Sequence, residues 1–408
     1  MQQLFSFAPI QVRGRQSRPL NGSPSQETLD IAGRAKPVED TTTVKKLIST
    51  ILPHSEESIE LPPVLAADTH QVGDAFIVEG RPSSMISHLL SSSQHRTFIE
   101  SNSENGEKHM VLEFATGTAK FYCCSYFTRE FHNLRQIIFP DGLANFVASL
   151  EDCRRCTSSV AETHVIVYFS RWDAMGGKSG LLFYKTTDDR FILKQMSRFE
   201  YQSFLEFAPH YFQYLEQCVE KGEKTLLAKI VGVFKIAFKN STTGQGMNLE
   251  FLVMENLFFG KEVSKSYDLK GSVRNRLMAE ADGAVDGQVL LDENLIRVSC
   301  ESPLYIGQAD KEALNEAVQR DTAFLAKHEM MDYSLLAGIC NTDNELVVGI
   351  IDYIRTFTWD KKLETLVKSV KSSGVFGGQA KTPTVIKPDI YRQRFTDAMS
   401  RYFSSVPD

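Results

Sequence analysis

Three groups of polar residues have the types and spacing that phosphate chemistry requires. The first is the sequence GGKSG at 176–180, which contains Gly177, Lys178, Ser179 and Gly180. It is not a P-loop of the Walker type, because Trp172 stands where that motif has its first glycine and a hairpin sequence follows instead of a helix. A glycine loop that leads into a hairpin, with Lys194 on the returning strand, is typical of the way protein kinases hold the phosphates of ATP. For the glycine run alone, the alternative is an ordinary surface turn.

Lys194 lies in an otherwise apolar strand sequence and therefore needs an acidic partner, because an unpaired buried charge is costly. Apolar residues at helical spacing follow it, and Pro209 is expected to separate this helix from a second one. Glu200 and Glu206 are the candidate partners, although either could equally be a solvated helix charge. Further along, two strands flank the turn STTGQGM and bring the segment from Met254 to Leu257 to a strand exit, where a hinge would meet adenine.

The second group consists of Asp332 and Asp352. The sequences SLLAGIC and ELVVGII predict two strands joined by the turn NTDN. If the turn is centred between residues 342 and 343, paired residue numbers add up to about 685, which brings Asp332 close to Tyr353 at the open end of the hairpin. Two neighbouring carboxylates repel each other unless a cation lies between them, or unless one holds magnesium while the other receives a proton. Either aspartate alone could simply cap a strand, but the glycine loop and Lys194 favour a catalytic interpretation of the pair.

The third group is basic. Lys270, Arg274 and Arg276 surround Gly271, a combination that binds phosphate, although a solvated basic turn would have the same composition. A second basic stretch spans 355–394, where nine basic residues oppose three acidic ones. Its glycine-rich segment KSSGVFGGQAKTP is aperiodic, which predicts a mobile loop with a basic rim that suits an anionic membrane surface.

The composition indicates which elements must position these groups. The chain has 408 residues, of which 42% are hydrophobic and 24% charged, as in ordinary globular proteins. Its net charge of −6 argues against a protein that coats nucleic acid, so membrane attraction would have to come from the basic face alone. Residues 1–70 lack a hydrophobic period and are expected to form a disordered leader, and short apolar segments between 76 and about 150 predict a small α+β unit. The pair Cys153 and Cys156 has no second ligand pair at zinc spacing, so no zinc site is predicted.

Five sequences together resemble the phosphatidylinositol phosphate kinases: GGKSG, DDRFILK, YDLKGSVRNR, MDYSLL and GIIDYIRTFTWDKKLE, in this order. Within that family, longer segments such as LKQMSRFEYQSFLEFAPHYF and LVMENLFFG look like the branch that acts on phosphatidylinositol 3-phosphate. The resemblance implies a two-lobed α+β fold with antiparallel sheets, distantly similar to protein kinases. It implies one kinase domain over 71–408, with an N-lobe to about 258, a C-lobe from about 259 and an activation loop near 355–384.

The resemblance also implies roles for single residues. Lys194 would contact the phosphates of ATP, Asp352 would bind Mg²⁺, and Asp332 would lie near the attacking inositol hydroxyl. Asp268 would support the site, and the basic residues after it would bind the phosphate already on the lipid. Lys361, Lys362 and the segment containing Lys381 resemble the activation loop that governs lipid choice and membrane docking. The implied setting is the cytoplasmic surface of an endosomal or vacuolar membrane, with scaffold proteins of a lipid-kinase complex as further partners and no nucleic acid.

Two departures from the family pattern and three alternative functions stand beside this expectation. Leu181 replaces the usual serine after the glycine loop, which removes one phosphate hydrogen bond, and about 155–171 reads as an insertion. The lipid could instead be phosphatidylinositol 4-phosphate, or the chain could be a catalytically weak pseudokinase that binds phosphoinositides. A protein serine/threonine kinase is disfavoured because the His-Arg-Asp, Asp-Phe-Gly and Ala-Pro-Glu motifs are not found where they would be expected.

Overall fold

A computed structural model describes residues 6–7, 68–101, 106–139, 143–151, 153–155, 181–278, 289–340, 345–357 and 386–407. The described residues form eight helices and eighteen strands. The helices are α1 (Pro82–Ser91), α2 (Ser93–Glu100), α3 (Thr128–Ile138), α4 (Leu143–Glu151), α5 (Arg198–Lys221), α6 (Asp292–Glu301), α7 (Gln308–Lys327) and α8 (Pro388–Tyr402). Over these ranges none of the helices combines the length and the apolar character that crossing a bilayer requires.

A seven-stranded antiparallel sheet forms the N-terminal half. Its strands run in the order β4 (Met110–Thr116), β5 (Ala119–Ser125), β9 (Ile230–Asn240), β10 (Gly246–Glu255), β8 (Phe191–Gln195), β7 (Phe183–Thr186) and β6 (Cys153–Arg155). The predicted hairpins β7–β8 and β9–β10 are confirmed. The segment predicted to be a small α+β unit contributes β4 and β5 to this same sheet, because β5 pairs with β9, Phe121 opposite Phe238. A separate two-stranded ribbon, β2 (Thr69–Val72) with β3 (Ala75–Val78), precedes it.

The two faces of this sheet belong to two different hydrophobic cores. Along β10, Phe251 and Val253 contribute to a core that also contains residues of α1 and α4. Leu252, between them, contributes to a second core that also contains residues of α5, α7, α8 and the other large sheet. The alternation follows from the two-residue period of a strand. Strand β10, and with it the neighbouring Lys194 on β8, is thereby fixed from both sides.

The second large sheet has five strands, in the order β1 (Ser6–Phe7), β16 (Glu345–Ile351), β15 (Ser334–Cys340), β11 (Val263–Leu269) and β12 (Val289–Leu291). All neighbours are antiparallel except β11 and β12. Two further pairs are β14 (Met330–Met331) with β17 (Arg355–Thr356), antiparallel, and β13 (Tyr305–Gly307) with β18 (Ser404–Val406), parallel. The predicted α+β fold with antiparallel sheets is confirmed. Apart from Ser6 and Phe7, the predicted leader up to Ala67 lies outside the described residues.

The prediction that Pro209 separates two helices is wrong. A single helix, α5, runs through it. Proline removes one helical hydrogen bond and crowds the carbonyl four residues earlier. Pro209 lies on the exposed side of α5, whereas Phe207, Ala208 and Tyr211 are buried, so packing on the inner face outweighs the local loss.

The segment that connects the two large sheets is packed tightly against the second one. A Cβ atom on Gly349 would lie 2.5 Å from the side chain of Leu257, and one on Gly338 would lie 2.4 Å from that of Phe258. Glycine at these two strand positions therefore makes room for the two side chains. Leu257 and Phe258 fix the connector to β16 and β15.

Candidate active site

Lys194 has two acidic partners. Its Nζ atom lies 2.9 Å from Oε1 of Glu200 and 2.8 Å from Oδ1 of Asp352, and its side chain is only 12% exposed. Of the two candidate partners, the structure selects Glu200, since Glu206 is exposed. The other carboxylate oxygen of Glu200 accepts from the backbone N–H of Ser197, whose hydroxyl in turn accepts from the N–H of Glu200. This capping box at the start of α5 orients the glutamate toward the lysine.

The ion pairs keep both ends charged. Burial alone would lower the pKa of Lys194, but the carboxylates of Asp352 and Glu200 outweigh it and raise the pKa above its ordinary value. Desolvation by the surrounding protein atoms would raise the pKa of Asp352, yet Lys194 and then Lys270 hold it below its usual range. Asp352 is therefore an anion at neutral pH. Its side chain remains 49% exposed, so it faces the open side of the site.

The predicted hairpin brings Asp332 and Asp352 to the same end of the sheet. Ser334 pairs with Ile351, and the pairing continues to Cys340 with Glu345, which confirms the predicted register. Both aspartates have left-handed backbones, with φ of 63° and 59°. This conformation is uncommon outside glycine, and such strained positions cluster at functional sites.

A buried tyrosine follows each aspartate. The hydroxyl of Tyr353 donates to the carbonyl of Ala228, just before β9, and the side chain is 2% exposed. Tyr333 is 0% exposed, and its carbonyl accepts from the hydroxyl of Tyr391 on α8. Each aspartate is thus directly followed by a residue that is anchored in the core, and this limits how far its carboxylate can move.

Two cations flank the carboxylate of Asp332. Lys270 Nζ lies 2.7 Å from Oδ1 and also donates to the Asp332 carbonyl, while Arg355 Nη1 lies 3.0 Å from Oδ2. The side chains of Asp332 and Arg355 are 39% and 48% exposed. The groups that the sequence predicts from three separate motifs therefore meet at one open place, where cations and carboxylates alternate.

The loop that carries Lys270 is organised by a buried carboxylate, Asp292, at the start of α6. Its Oδ1 accepts from the backbone N–H groups of Lys270, Gly271 and Ser272 and from the hydroxyl of Tyr402. Its Oδ2 accepts from Nε of Arg276 at 2.8 Å, and the Asp292 side chain is 0% exposed. Successive N–H groups that point at one anion form a backbone nest.

Gly271 is required at the tip of this loop. Its φ is 69°, and a Cβ there would lie 2.9 Å from the Cβ of Ala398 and 3.0 Å from the carbonyl oxygen of Arg394, both on α8. Because a side chain would meet both the strained backbone and helix α8, only glycine fits.

The remaining predicted site residues lie as follows. Arg276 is held by Asp268 and Asp292, with its side chain 17% exposed, and Arg274 is exposed. Met254 lies near the end of β10 and is partly buried against the core to which Leu252 belongs. Leu257 packs on Gly349. Their roles toward adenine or lipid stay predictions. Seven predicted residues lie outside the described ranges, as does most of the activation loop: Gly177, Lys178, Ser179, Gly180, Lys361, Lys362 and Lys381.

The sequence does not predict the parts that three residues have in this site, Asp292, Tyr353 and Arg355. Asp292 could be found only as an acidic residue before an amphipathic helix, a signal that usually indicates an exposed cap. Tyr353 reads as an ordinary strand residue. Arg355 counted only as one of nine basic residues in its stretch.

The donor set suits Mg²⁺ bound together with phosphate. Within the described ranges, no three His, Cys, Asp or Glu side chains converge as a complete metal cage. Magnesium in phosphoryl-transfer sites uses one or two carboxylates, with substrate phosphates and water completing its shell. The half-exposed, ionised Asp352 beside Lys194 fits that need.

Comparison of the sequence with known protein families identifies the class to which this chain belongs. The family model described as phosphatidylinositol-4-phosphate 5-kinase matches residues 170–346 and 341–402, more than half of the chain. The chain belongs to this family of phosphatidylinositol phosphate kinases, as its motifs predict.

Individual relatives are similar over most of this chain. It is 49% identical over 301 residues to a human 1-phosphatidylinositol 3-phosphate 5-kinase, which covers 74% of the chain but 13% of the relative. The protein of that name from Saccharomyces cerevisiae is 42% identical over 303 residues, 74% of the chain and 12% of the relative. The Arabidopsis thaliana 1-phosphatidylinositol-3-phosphate 5-kinase FAB1B is 40% identical over 324 residues, which cover 78% of the chain and 17% of the relative. The chain thus spans less than a fifth of the length of each.

Proposed function

We propose that this chain is a lipid kinase, which transfers the γ-phosphate of ATP to the 5-hydroxyl of phosphatidylinositol 3-phosphate and gives phosphatidylinositol 3,5-bisphosphate. The observation that carries the proposal is the convergence of Lys194, Glu200 and Asp352 with Asp332 at one open site. The names of the similar proteins, which are phosphatidylinositol 3-phosphate 5-kinases, support the choice of lipid.

Each of these side chains has a separate task in an in-line transfer. Lys194, oriented by Glu200, would bind the phosphates of ATP, and Asp352 would hold Mg²⁺, which offsets the charge on the transferred group. Asp332 would accept the proton of the 5-hydroxyl as that oxygen attacks the γ-phosphorus. Asp268 would support the loop through its contact with Arg276.

Residues around this centre would bind the rest of the two substrates. The glycine loop of 177–180 would cover the ATP phosphates, and Met254 and Leu257 would lie beside adenine. Lys270 and Arg274 would face the lipid phosphate, with Lys361, Lys362 and Lys381 on the membrane side. Arg276, for which the resemblance implies the same role, is held between Asp268 and Asp292 and would instead shape the loop. Such a basic face favours reversible, salt-sensitive binding to the phosphoinositide surface of an endosomal or vacuolar membrane. Scaffold proteins of an endosomal lipid-kinase complex would be further partners.

The test is a kinase assay on vesicles that contain one lipid at a time, with the product resolved by phosphate position. We expect phosphatidylinositol 3-phosphate to be converted faster than phosphatidylinositol 4-phosphate. The 4-phosphate is the alternative substrate because the description of the matching family model names it. A clear preference for the 4-phosphate would refute the choice of lipid.

A variant tests the site itself. Asp352→Asn should abolish turnover, by at least 100-fold if Asp352 is the ligand of the catalytic metal, while the protein remains folded. Asp74→Asn is the matched control, since Asp74 is exposed in the turn between β2 and β3. Retention of full activity by Asp352→Asn would contradict the assigned role.

A further inference from the structure

Arg355 lies within the motif GIIDYIRTFTWDKKLE, but the resemblance implies no role for this residue by itself. It lies two residues after Tyr353, and its guanidinium reaches the carboxylate of Asp332, with Nη1 3.0 Å from Oδ2. Lys270 contacts the other oxygen of the same carboxylate. Arg355 is therefore part of the open site, on the side of Asp332 opposite to Lys270.

The backbone fixes Arg355 in this position. Strand β17 pairs with β14, so that Arg355 lies opposite Met331, next to Asp332. Its two neighbours, Ile354 and Thr356, are 4% and 8% exposed, whereas the Arg355 side chain is 48% exposed. Two buried neighbours thus hold an arginine whose own side chain extends into solvent at the mouth of the site.

Arg355 and Arg276 differ in how they are enclosed. The guanidinium of Arg276 bridges Asp268 and Asp292 inside the loop, with the side chain 17% exposed. Moving it onto a substrate phosphate would leave the buried carboxylate of Asp292 without its charged partner, which is costly. Arg355 is nearly half exposed, and its contact with Asp332 is at the surface, where such pairs are weak.

The chemistry of a guanidinium suits this position. Its five N–H donors lie in a planar fork, so one arginine can hold a carboxylate on one edge and a phosphate on another. Lipid binding brings a further dianionic phosphate to a place where three cations, Lys194, Lys270 and Arg355, already face three carboxylates. An exposed cation at the mouth can meet that added charge, whereas Arg276 could do so only by leaving a buried carboxylate.

We propose that Arg355 binds the phosphate that the lipid substrate already carries, and that its contact with Asp332 holds this phosphate at a set distance from the carboxylate that faces the reacting hydroxyl. The inference rests on the proposed function. It makes Arg355 a substrate-binding residue that contributes to the choice of lipid, together with Lys270.

The test compares Arg355→Gln and Arg355→Lys with Arg297→Gln, a control on α6 whose side chain is 63% exposed and forms an ion pair with Glu293 of its own helix. Charge-assisted hydrogen bonds to phosphate predict a roughly 10- to 100-fold lower kcat/KM of Arg355→Gln for phosphatidylinositol 3-phosphate, mainly through KM. The KM for ATP should be unchanged. Arg355→Lys should lie between the two because it keeps the charge but not the fork.

Two results would overturn the inference. If Arg355 merely steadied Asp332, Arg355→Gln would lower kcat and shift its pH profile while KM for the lipid stayed the same.

Sedimentation with vesicles of phosphatidylinositol 3-phosphate, against vesicles of unphosphorylated phosphatidylinositol, gives a readout that needs no catalysis. The selective binding should fall in Arg355→Gln and persist in Arg297→Gln, and equal binding by both variants would sink the proposal. A wild-type protein that binds this lipid through Arg355 but fails to phosphorylate it would refute the proposed function and leave the inference standing.

Discussion

Replacing Asp292 by asparagine should destabilise the protein strongly, because this carboxylate supports the entire loop from Lys270 to Arg276. Its two oxygens receive three backbone N–H groups, a tyrosine hydroxyl and the guanidinium of Arg276. Asparagine has one acceptor oxygen and one donor amide, so the amide would face groups that are themselves hydrogen-bond donors. The side chain is fully buried, so bulk solvent does not reach the place of the lost acceptor.

The expected magnitude follows from two estimates. Hydrogen bonds to charged groups contribute about 1.5–3 kcal/mol each, and removing one partner of a buried ion pair costs about 3–5 kcal/mol. The Arg276 side chain is 17% exposed, so its charge is only partly rescued by solvent. We expect Asp292→Asn to lower the free energy of unfolding by about 3–5 kcal/mol.

Urea unfolding of a double-mutant cycle measures the part that belongs to the ion pair. Asp292→Asn, Arg276→Gln and the double variant are compared with the parent protein. Since the second substitution removes a charge that the first has already deprived of one of its two carboxylate partners, the double variant should be at least about 1 kcal/mol more stable than the sum of the single losses predicts. Additive losses, within about 0.5 kcal/mol, would refute the reasoning. Asp74→Asn should change stability by no more than about 0.5 kcal/mol.

Two further predictions concern Gly271 and His95. Gly271→Ala should lower the free energy of unfolding in urea by about 2–4 kcal/mol, because the left-handed backbone and the clash with α8 both destabilise the alanine variant. Gly260 has the same φ of 69° but open space around it, so Gly260→Ala measures the backbone part alone, about 1–2 kcal/mol. Equal losses in the two variants would contradict a clash between residue 271 and α8. Burial, with Arg135 and His132 nearby, lowers the pKa of His95 from 6.5 to about 4, so the unfolded chain binds a proton that the folded protein does not. The contribution of neutral His95 to the free energy of unfolding is therefore fully present above about pH 6.5. As the pH falls toward 4, roughly 3 kcal/mol of stability is lost. His95→Gln should flatten the pH dependence of stability in this range, and an unchanged slope would rule out His95 as its source.

The sequence predicts the parts of the site that depend on local patterns. Two-residue alternation and turn composition suffice for the hairpin β15–β16, and its register then brings Asp332 and Asp352 together. Lys194 demands an acidic partner because its strand neighbours are apolar, although the spacing leaves Glu200 and Glu206 as alternatives. The choice between them depends on which side of α5 faces the sheet.

The parts that the sequence does not predict depend on contacts between distant segments. Asp292 acts on a loop about twenty positions earlier in the chain, and no periodicity links the two. Helix α5 continues through Pro209 because buried aromatic residues on its inner face outweigh a local rule. Arg355 becomes part of the site only through the pairing of two two-residue strands, which are too short to predict.

The connector between the sheets has a consequence for how the protein can move. Asn256 is tied to the β7–β8 turn, because its N–H and side-chain amide donate to the carbonyls of Arg190 and Asp189. The next residue, Leu257, is pressed onto Gly349 of the other sheet. Two adjacent residues of the connector are therefore held by two different sheets.

A second crossing lies at the start of β9. There the backbone of Leu226 and Ala228 is hydrogen-bonded to Ile350, and Tyr353 donates to Ala228. The two sheets are therefore tied to each other at two places along the chain. Lys194 and Asp352 add a direct ion pair between the two sheets at the site itself. A movement that separated the sheets at the site would therefore also have to separate these two charges.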